Sequence, residues 1–129
     1  MKLLTLEHIL MLHVCALNMG GGSEGVRDMG RLDAVLATQT QEVFGEALYV
    51  TVFEKGAALI RGIVGDHPFS DGNKRTAMLV GLTFLEINGC RIVARLGDIE
   101  DFAVQIAVEH LEVADIAKWL EKHTRTSRS

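Results

Sequence analysis

From Thr76 to Ile87 the chain is apolar on almost every side of a helix. Such a helix has no face to give to water, so it belongs in the middle of a bundle. The other segments supply its surroundings. Thr5 can cap a first helix running to about Leu17, with Leu6, Ile9, Leu10, Leu12 and Val14 at helical spacing. Asn18 to Gly25 carries four glycines and a serine and reads as a mobile loop. Asp28 can cap a second helix, Arg31 to about Gln41, with Leu32, Val35 and Leu36 inward. Gly45 opens a third, whose inner face is Leu48, Val52, Leu59, Ile60 and Ile63 and whose end is Gly65. Asn88-Gly89 stops the central helix, and Cys90 to Val93 forms a short extended piece. Asp98 caps a further helix with Ile99, Phe102, Ala103 and Ile106. The last helix, near Ala114 to Lys122, puts Ile116, Trp119 and Leu120 on one face. The expected fold is all-α: a compact bundle of about six helices around a central buried one, as one domain over 1–123. The polar, basic tail 124–129 is expected to be disordered.

Composition narrows the function classes. The 129 residues are 48% hydrophobic, enough to bury a core in one domain. Net charge is −4 with pI near 5.7, which argues against direct DNA binding through a broad basic face. No uncharged apolar run is long enough to span a membrane, and Glu7, His8 and His13 interrupt the only candidate leader. Cys15 and Cys90 read as buried free thiols, and the expected location is the cytoplasm.

The chemistry concentrates in His67-Pro68-Phe69-Ser70-Asp71-Gly72-Asn73-Lys74-Arg75-Thr76, just ahead of the central helix. Polar groups between two buried helices are costly without partners, so a cluster here points to an active site. Asn73 to Thr76 open the helix, and its first N–H groups lack intrahelical partners, a setting that binds anions and phosphate above all. Gly72 lets the backbone approach a ligand. Lys74 and Arg75 add positive charge, and arginine can grip phosphate with two donors. Asp71 stands where a hard cation bridging phosphates takes an oxygen ligand. His67 is suited to take a proton from an incoming hydroxyl. Phe69 is the expected core anchor, and Pro68 stiffens the loop. Anion hole, cation, metal ligand and base together describe phosphoryl or nucleotidyl transfer. A P-loop is excluded, because the Gly-Lys-Ser/Thr triplet is missing and no strand precedes it. His8, His13, His110 and His123 read as ordinary surface or core residues.

His67 to Arg75 resembles the signature of the Fic/Doc superfamily, His-Pro-Phe-x-Asp/Glu-Gly-Asn-Gly-Arg-x-x-Arg. Lys74 at the second glycine makes it resemble the Doc, or death-on-curing, toxin branch. Upstream, Val26-Arg27-Asp28-Met29-Gly30-Arg31-Leu32 is similar to a segment ahead of Doc's second helix. The resemblance implies a small all-helical domain covering roughly residues 1 to 122. It makes His67 the catalytic histidine and Asp71 the metal-coordinating acid. Gly72 and Asn73 become anion-hole residues, Lys74, Arg75 and Thr76 nucleotide contacts, and Phe69 the core anchor. Met78 replaces the second arginine of the common form, and Lys74 fills space that its glycine leaves open. In Doc proteins these changes accompany a reversed nucleotide, with the γ-phosphate placed for transfer.

The resemblance therefore implies a protein kinase using ATP or another nucleoside triphosphate with Mg²⁺. Its acceptor is a Thr or Ser hydroxyl of a translation factor, elongation factor Tu in the family, whose modification arrests translation. A transferase that adds AMP or another nucleoside monophosphate is the alternative, and a catalytically idle regulatory or binding module is a third. Many Fic proteins silence themselves with a Ser/Thr-x-x-x-Glu-Gly/Asn helix. Here Glu24-Gly25 is the sole Glu-Gly or Glu-Asn pair, and Gly20 precedes Glu24 by four, so the match fails. The implied inhibitor is a separate Phd-type antitoxin, folding as a helix in a groove of the toxin. The Gly20 to Gly30 stretch is the candidate flap for the target chain.

Overall fold

The computed structural model describes residues 1–126. Six α-helices follow in order: α1 Leu6–Gly20, α2 Met29–Ala37, α3 Val52–Asp66, α4 Asn73–Ile87, α5 Leu96–Glu109 and α6 Val113–Lys122. Two small antiparallel pairs accompany them, β1 Glu42–Val43 with β2 Glu46–Ala47, and β3 Cys90–Ile92 with β4 Thr124–Thr126. The fold is the expected all-α bundle with α4 at its centre. α4 packs on α3 more extensively than any other pair of elements pack, and also meets α1, α5 and β3. α2 and α6 cover the rest of α3.

The centre of the core is where the apolar run of α4 meets α3. Ala77, Val80, Phe84 and Leu85 of α4 and Ala57, Leu59, Ile60 and Ile63 of α3 are fully buried. Each large side chain among them contributes about 1.5–3 kcal/mol. Gly81 sets how closely the two helices approach, since a Cβ there would overlap the Ile60 side chain. That interface holds the end of α3 and the start of α4 in place, and the polar loop 67–72 connects them.

Helix starts follow local chemistry. Thr51 Oγ1 accepts from Glu54 N at 3.0 Å while Glu54 Oε1 accepts from Thr51 N at 3.0 Å, a capping box that starts α3. The Thr51 backbone N–H holds the Glu54 carboxyl below its ordinary range. Thr5 and His8 make the same exchange at α1, and Asp28 accepts from Arg31 N at 3.1 Å to start α2.

Several boundaries differ from expectation. Gly45 opens no helix: Phe44 and Gly45, both at positive φ, form the two-residue turn between β1 and β2. Leu48 is exposed, and α3 begins only after its capping box. α1 continues to Gly20 and buries Ile9, His13, Ala16 and Leu17, with Val14 exposed. α2 ends at Ala37 in a 3₁₀ turn, Thr38–Thr40. α5 opens at Leu96, which puts Asp98 in its first turn, a favourable place for a carboxylate beside the helix dipole. The tail expected to be disordered from Thr124 instead forms β4, with Cys90 opposite Thr126 and Ile92 opposite Thr124; 127–129 lie outside the described residues. Both cysteines are free, but Cys15 is exposed, and burial raises the pKa of Cys90. Among the described residues no helix is long and apolar enough to cross a membrane.

Candidate active site

The loop between α3 and α4 is pinned from three sides. Phe69 is 1% exposed, and its ring stacks on His13 with centroids 3.9 Å apart. Asn73, the first residue of α4, clamps the same residue: Phe69 N donates to Oδ1 at 3.0 Å, and Nδ2 donates to Phe69 O at 3.0 Å. The segment after α1 lies along the other edge. Ser70 N donates to Gly25 O at 3.0 Å, and Pro68 O accepts from Arg27 N at 2.7 Å and Asp28 N at 3.1 Å. The expected flap, Gly20 to Gly30, is therefore laced to the loop in its second half by backbone pairing.

The start of α4 is open. Its N-cap is Gly72, at φ 70 and ψ 23, with no side-chain cap. A side chain there would be strained, and its Cβ would lie 3.1 Å from Leu17 Cδ2. The first bond of the helix ladder runs from Thr76 N to Gly72 O at 2.9 Å. The N–H groups of Asn73, Lys74 and Arg75 thus precede the ladder, the arrangement that binds anions at helix starts. Asp71 folds beside them: Oδ1 accepts from Gly72 N at 2.9 Å and Oδ2 from Ser23 N at 3.2 Å. A cavity of about 550 Å³ opens over this helix start. His67, Asp71, Gly72, Asn73, Lys74 and Arg75 line it on one side, and Leu96, Ile99, Ala103 and Val104 of α5 on the other. His67 and Lys74 are exposed. His67 is the C-cap of α3, in the left-handed region at φ 48 and ψ 58.

Not every expected contact has its side chain free. Thr76 was expected at the nucleotide, but it is fully buried and its Oγ1 lies 3.0 Å from His13 Nδ1. The Asn73 amide is consumed by Phe69, which leaves only its backbone N–H for the expected anion hole. Arg75 turns back onto α1, its Nη1 donating to Ala16 O at 2.7 Å and Gly21 O at 3.3 Å. Gly20 makes room for it, because a Cβ there would overlap the guanidinium.

Two residues escaped sequence reasoning. His13 fits the core half of its surface-or-core reading at 3% exposed, but its seat beneath the loop was unforeseen; burial lowers its pKa against the opposing charges of Glu24 and Asp71. Its place on the inward face of α1, four residues after Ile9, was the available signal. Arg27 donates from Nε and Nη2 to His67 O at 2.9 and 2.6 Å. Nothing in its spacing announced that contact, which spans 40 residues of sequence.

The chain is similar to known proteins. The family model described as Fic/DOC family matches residues 3–85. The chain is similar to "Toxin Doc" of Mycolicibacterium smegmatis, 37% identical over 99 residues, 75% of this chain and 76% of that one. It is also similar to "Protein kinase doc" of Escherichia phage P1, 29% identical over 122 residues, 95% of each chain. The chain belongs to the Fic/Doc family, in its Doc branch.

Proposed function

We propose that the chain is a Doc-type toxin: a protein kinase that moves the γ-phosphate of ATP, or another nucleoside triphosphate, onto a Thr or Ser hydroxyl. The proposed acceptor is a translation factor, elongation factor Tu first, so that translation stops. One observation carries the reading. In a chain of the Doc branch, the uncapped start of α4 shares a single cavity with His67, Asp71 and Lys74. The names of the relatives, a toxin and a protein kinase, support it.

The roles follow from chemistry. The N–H groups of Asn73, Lys74 and Arg75 and the Lys74 ammonium receive the phosphates. His67 accepts the proton of the acceptor hydroxyl as its oxygen bonds to the γ-phosphorus. The bond from that phosphorus to the bridging oxygen breaks, and the nucleoside diphosphate leaves. Asp71 fits a divalent cation as its carboxylate ligand. Among the described residues no group of three or more His, Cys, Asp or Glu forms a cage, so Mg²⁺ would rely on Asp71 and the phosphates themselves. When bound, Mg²⁺ neutralises phosphate charge. The apolar α5 wall and exposed Met19, Leu96 and Val104 border the cavity, a surface suited to the helix of a Phd-type antitoxin.

ATP labelled at the α- or the γ-phosphate tests this. Each label is added with the protein, or with His67→Ala, to a bacterial extract. A γ-only label on a band at the mass of elongation factor Tu, absent with His67→Ala, is the expected result. Transfer of the α-label means AMP transfer and overturns the kinase reading.

A further inference from the structure

His67 closes α3 in a left-handed backbone conformation, as His110 closes α5, and the Asp66 and His67 carbonyls are held by side-chain donors. The donors are two arginines at the start of α2, far upstream of the motif in sequence. Arg27 donates to His67 O from Nε at 2.9 Å and from Nη2 at 2.6 Å, and Nη2 also reaches Asp66 O at 3.2 Å. Arg31 Nη1 donates to the same Asp66 carbonyl at 2.9 Å. The next carbonyl, Pro68 O, accepts from the backbone N–H groups of Arg27 and Asp28. Three consecutive carbonyls, on either side of His67 and on His67 itself, are thus held by residues 27–31. Cations also suit this place, the negative end of the α3 dipole.

We propose that Arg27 is a positioning residue for His67. It fixes the backbone from which the imidazole reaches the acceptor hydroxyl, and it acts through that backbone, touching neither substrate. This rests on the reading of His67 as the base. A lysine can replace it only in part, because one ammonium lacks the planar fork that spans both carbonyls. A misplacement of about 1 Å costs a catalytic group roughly 10²-fold in rate.

The test measures kcat and KM for γ-labelled ATP and purified elongation factor Tu in Arg27→Ala, Arg27→Lys, His67→Ala and the Arg27→Ala/His67→Ala double variant. Ring proton signals of His67 are followed by NMR alongside. Arg27→Ala is expected to lower kcat by about 10²-fold with both KM values unchanged. Arg27→Lys is expected to recover part of that loss and to shift the His67 ring signals. In the His67→Ala background, removing Arg27 is expected to cost nothing further. A rise in KM with kcat intact would put Arg27 at a substrate and overturn the proposal. So would a full additional loss on top of His67→Ala. Should Arg27→Ala not fold, a folded Arg27→Lys with wild-type kcat and unmoved His67 signals overturns it equally. Wild-type transfer by His67→Ala would instead remove the base assignment, and the proposal with it.

Discussion

α3 and α4 are both 15 residues long, pack on each other and share the core, yet they begin in opposite ways. α3 starts with a closed capping box, in which Thr51 and Glu54 satisfy each other's backbone N–H groups. α4 starts with a glycine and no side-chain cap. A glycine in place of a side-chain cap costs only a few tenths of a kcal/mol, so α4 gives up little stability that its neighbour keeps. What it keeps is a set of N–H groups facing a cavity, with a histidine, a carboxylate and a lysine beside them. On the proposed function, the difference separates a helix start that serves the fold from one that serves a ligand.

Substitutions at the two starts should therefore split cleanly between activity and stability. The largest effect belongs to His67→Ala, expected to lower transfer by about 10²–10⁴-fold at an unchanged melting temperature. Steady-state transfer and a thermal melt on the same sample check it; wild-type transfer would remove the base. Lys74→Ala removes one charge-assisted contact and should weaken nucleotide binding by about 10–100-fold, read by calorimetry. Equal affinity would show that phosphate lies elsewhere. Asn73→Ala crosses the comparison. It sits at the ligand end but bonds only the Phe69 backbone, so it should cost about 1–3 kcal/mol of stability through an unsatisfied buried group. Urea unfolding measures that, and undiminished stability would give the amide back to the ligand. Thr51→Ala should cost about 1 kcal/mol by the same assay and leave nucleotide affinity alone.

The smallest effect is a pH dependence. Burial lowers the pKa of His13 below its ordinary 6.5. As pH falls through that value, the unfolded chain binds a proton that the folded chain refuses. The His13 contribution is therefore complete above about pH 6.5 and declines below it. His13→Phe, which keeps a ring on Phe69, should flatten the stability profile below pH 6.5; a profile as steep as the parent's would assign the acid sensitivity to other groups.

The same contrast explains what could be read in advance. α4 was legible because apolar residues all round a helix have one solution, burial. The polar loop was legible because its residue types share one chemistry. α3 was legible in its body and misread at its start. Gly45 looked like an opener, although Thr51 and Glu54 carry the capping-box spacing that locates the true one. The hairpin around Phe44-Gly45 offered only two residues per strand, too few for an alternating pattern. The contacts that support the site were illegible for another reason. His13 meets Thr76 across 63 residues, and Arg27 meets His67 across 40. Such pairings arise from packing between helices, which local spacing does not encode. For that reason the side chains of Thr76 and Asn73, expected at the ligand, bond protein groups instead.

Backbone amide shifts on titration with Mg²⁺ and ATP test the central claim most directly, because they read both helix starts in one experiment. The account predicts large, saturable shifts at Asn73, Lys74 and Arg75 and none at Val52, Phe53 and Glu54. Saturable shifts elsewhere, with the first amides of α4 unmoved, would contradict it.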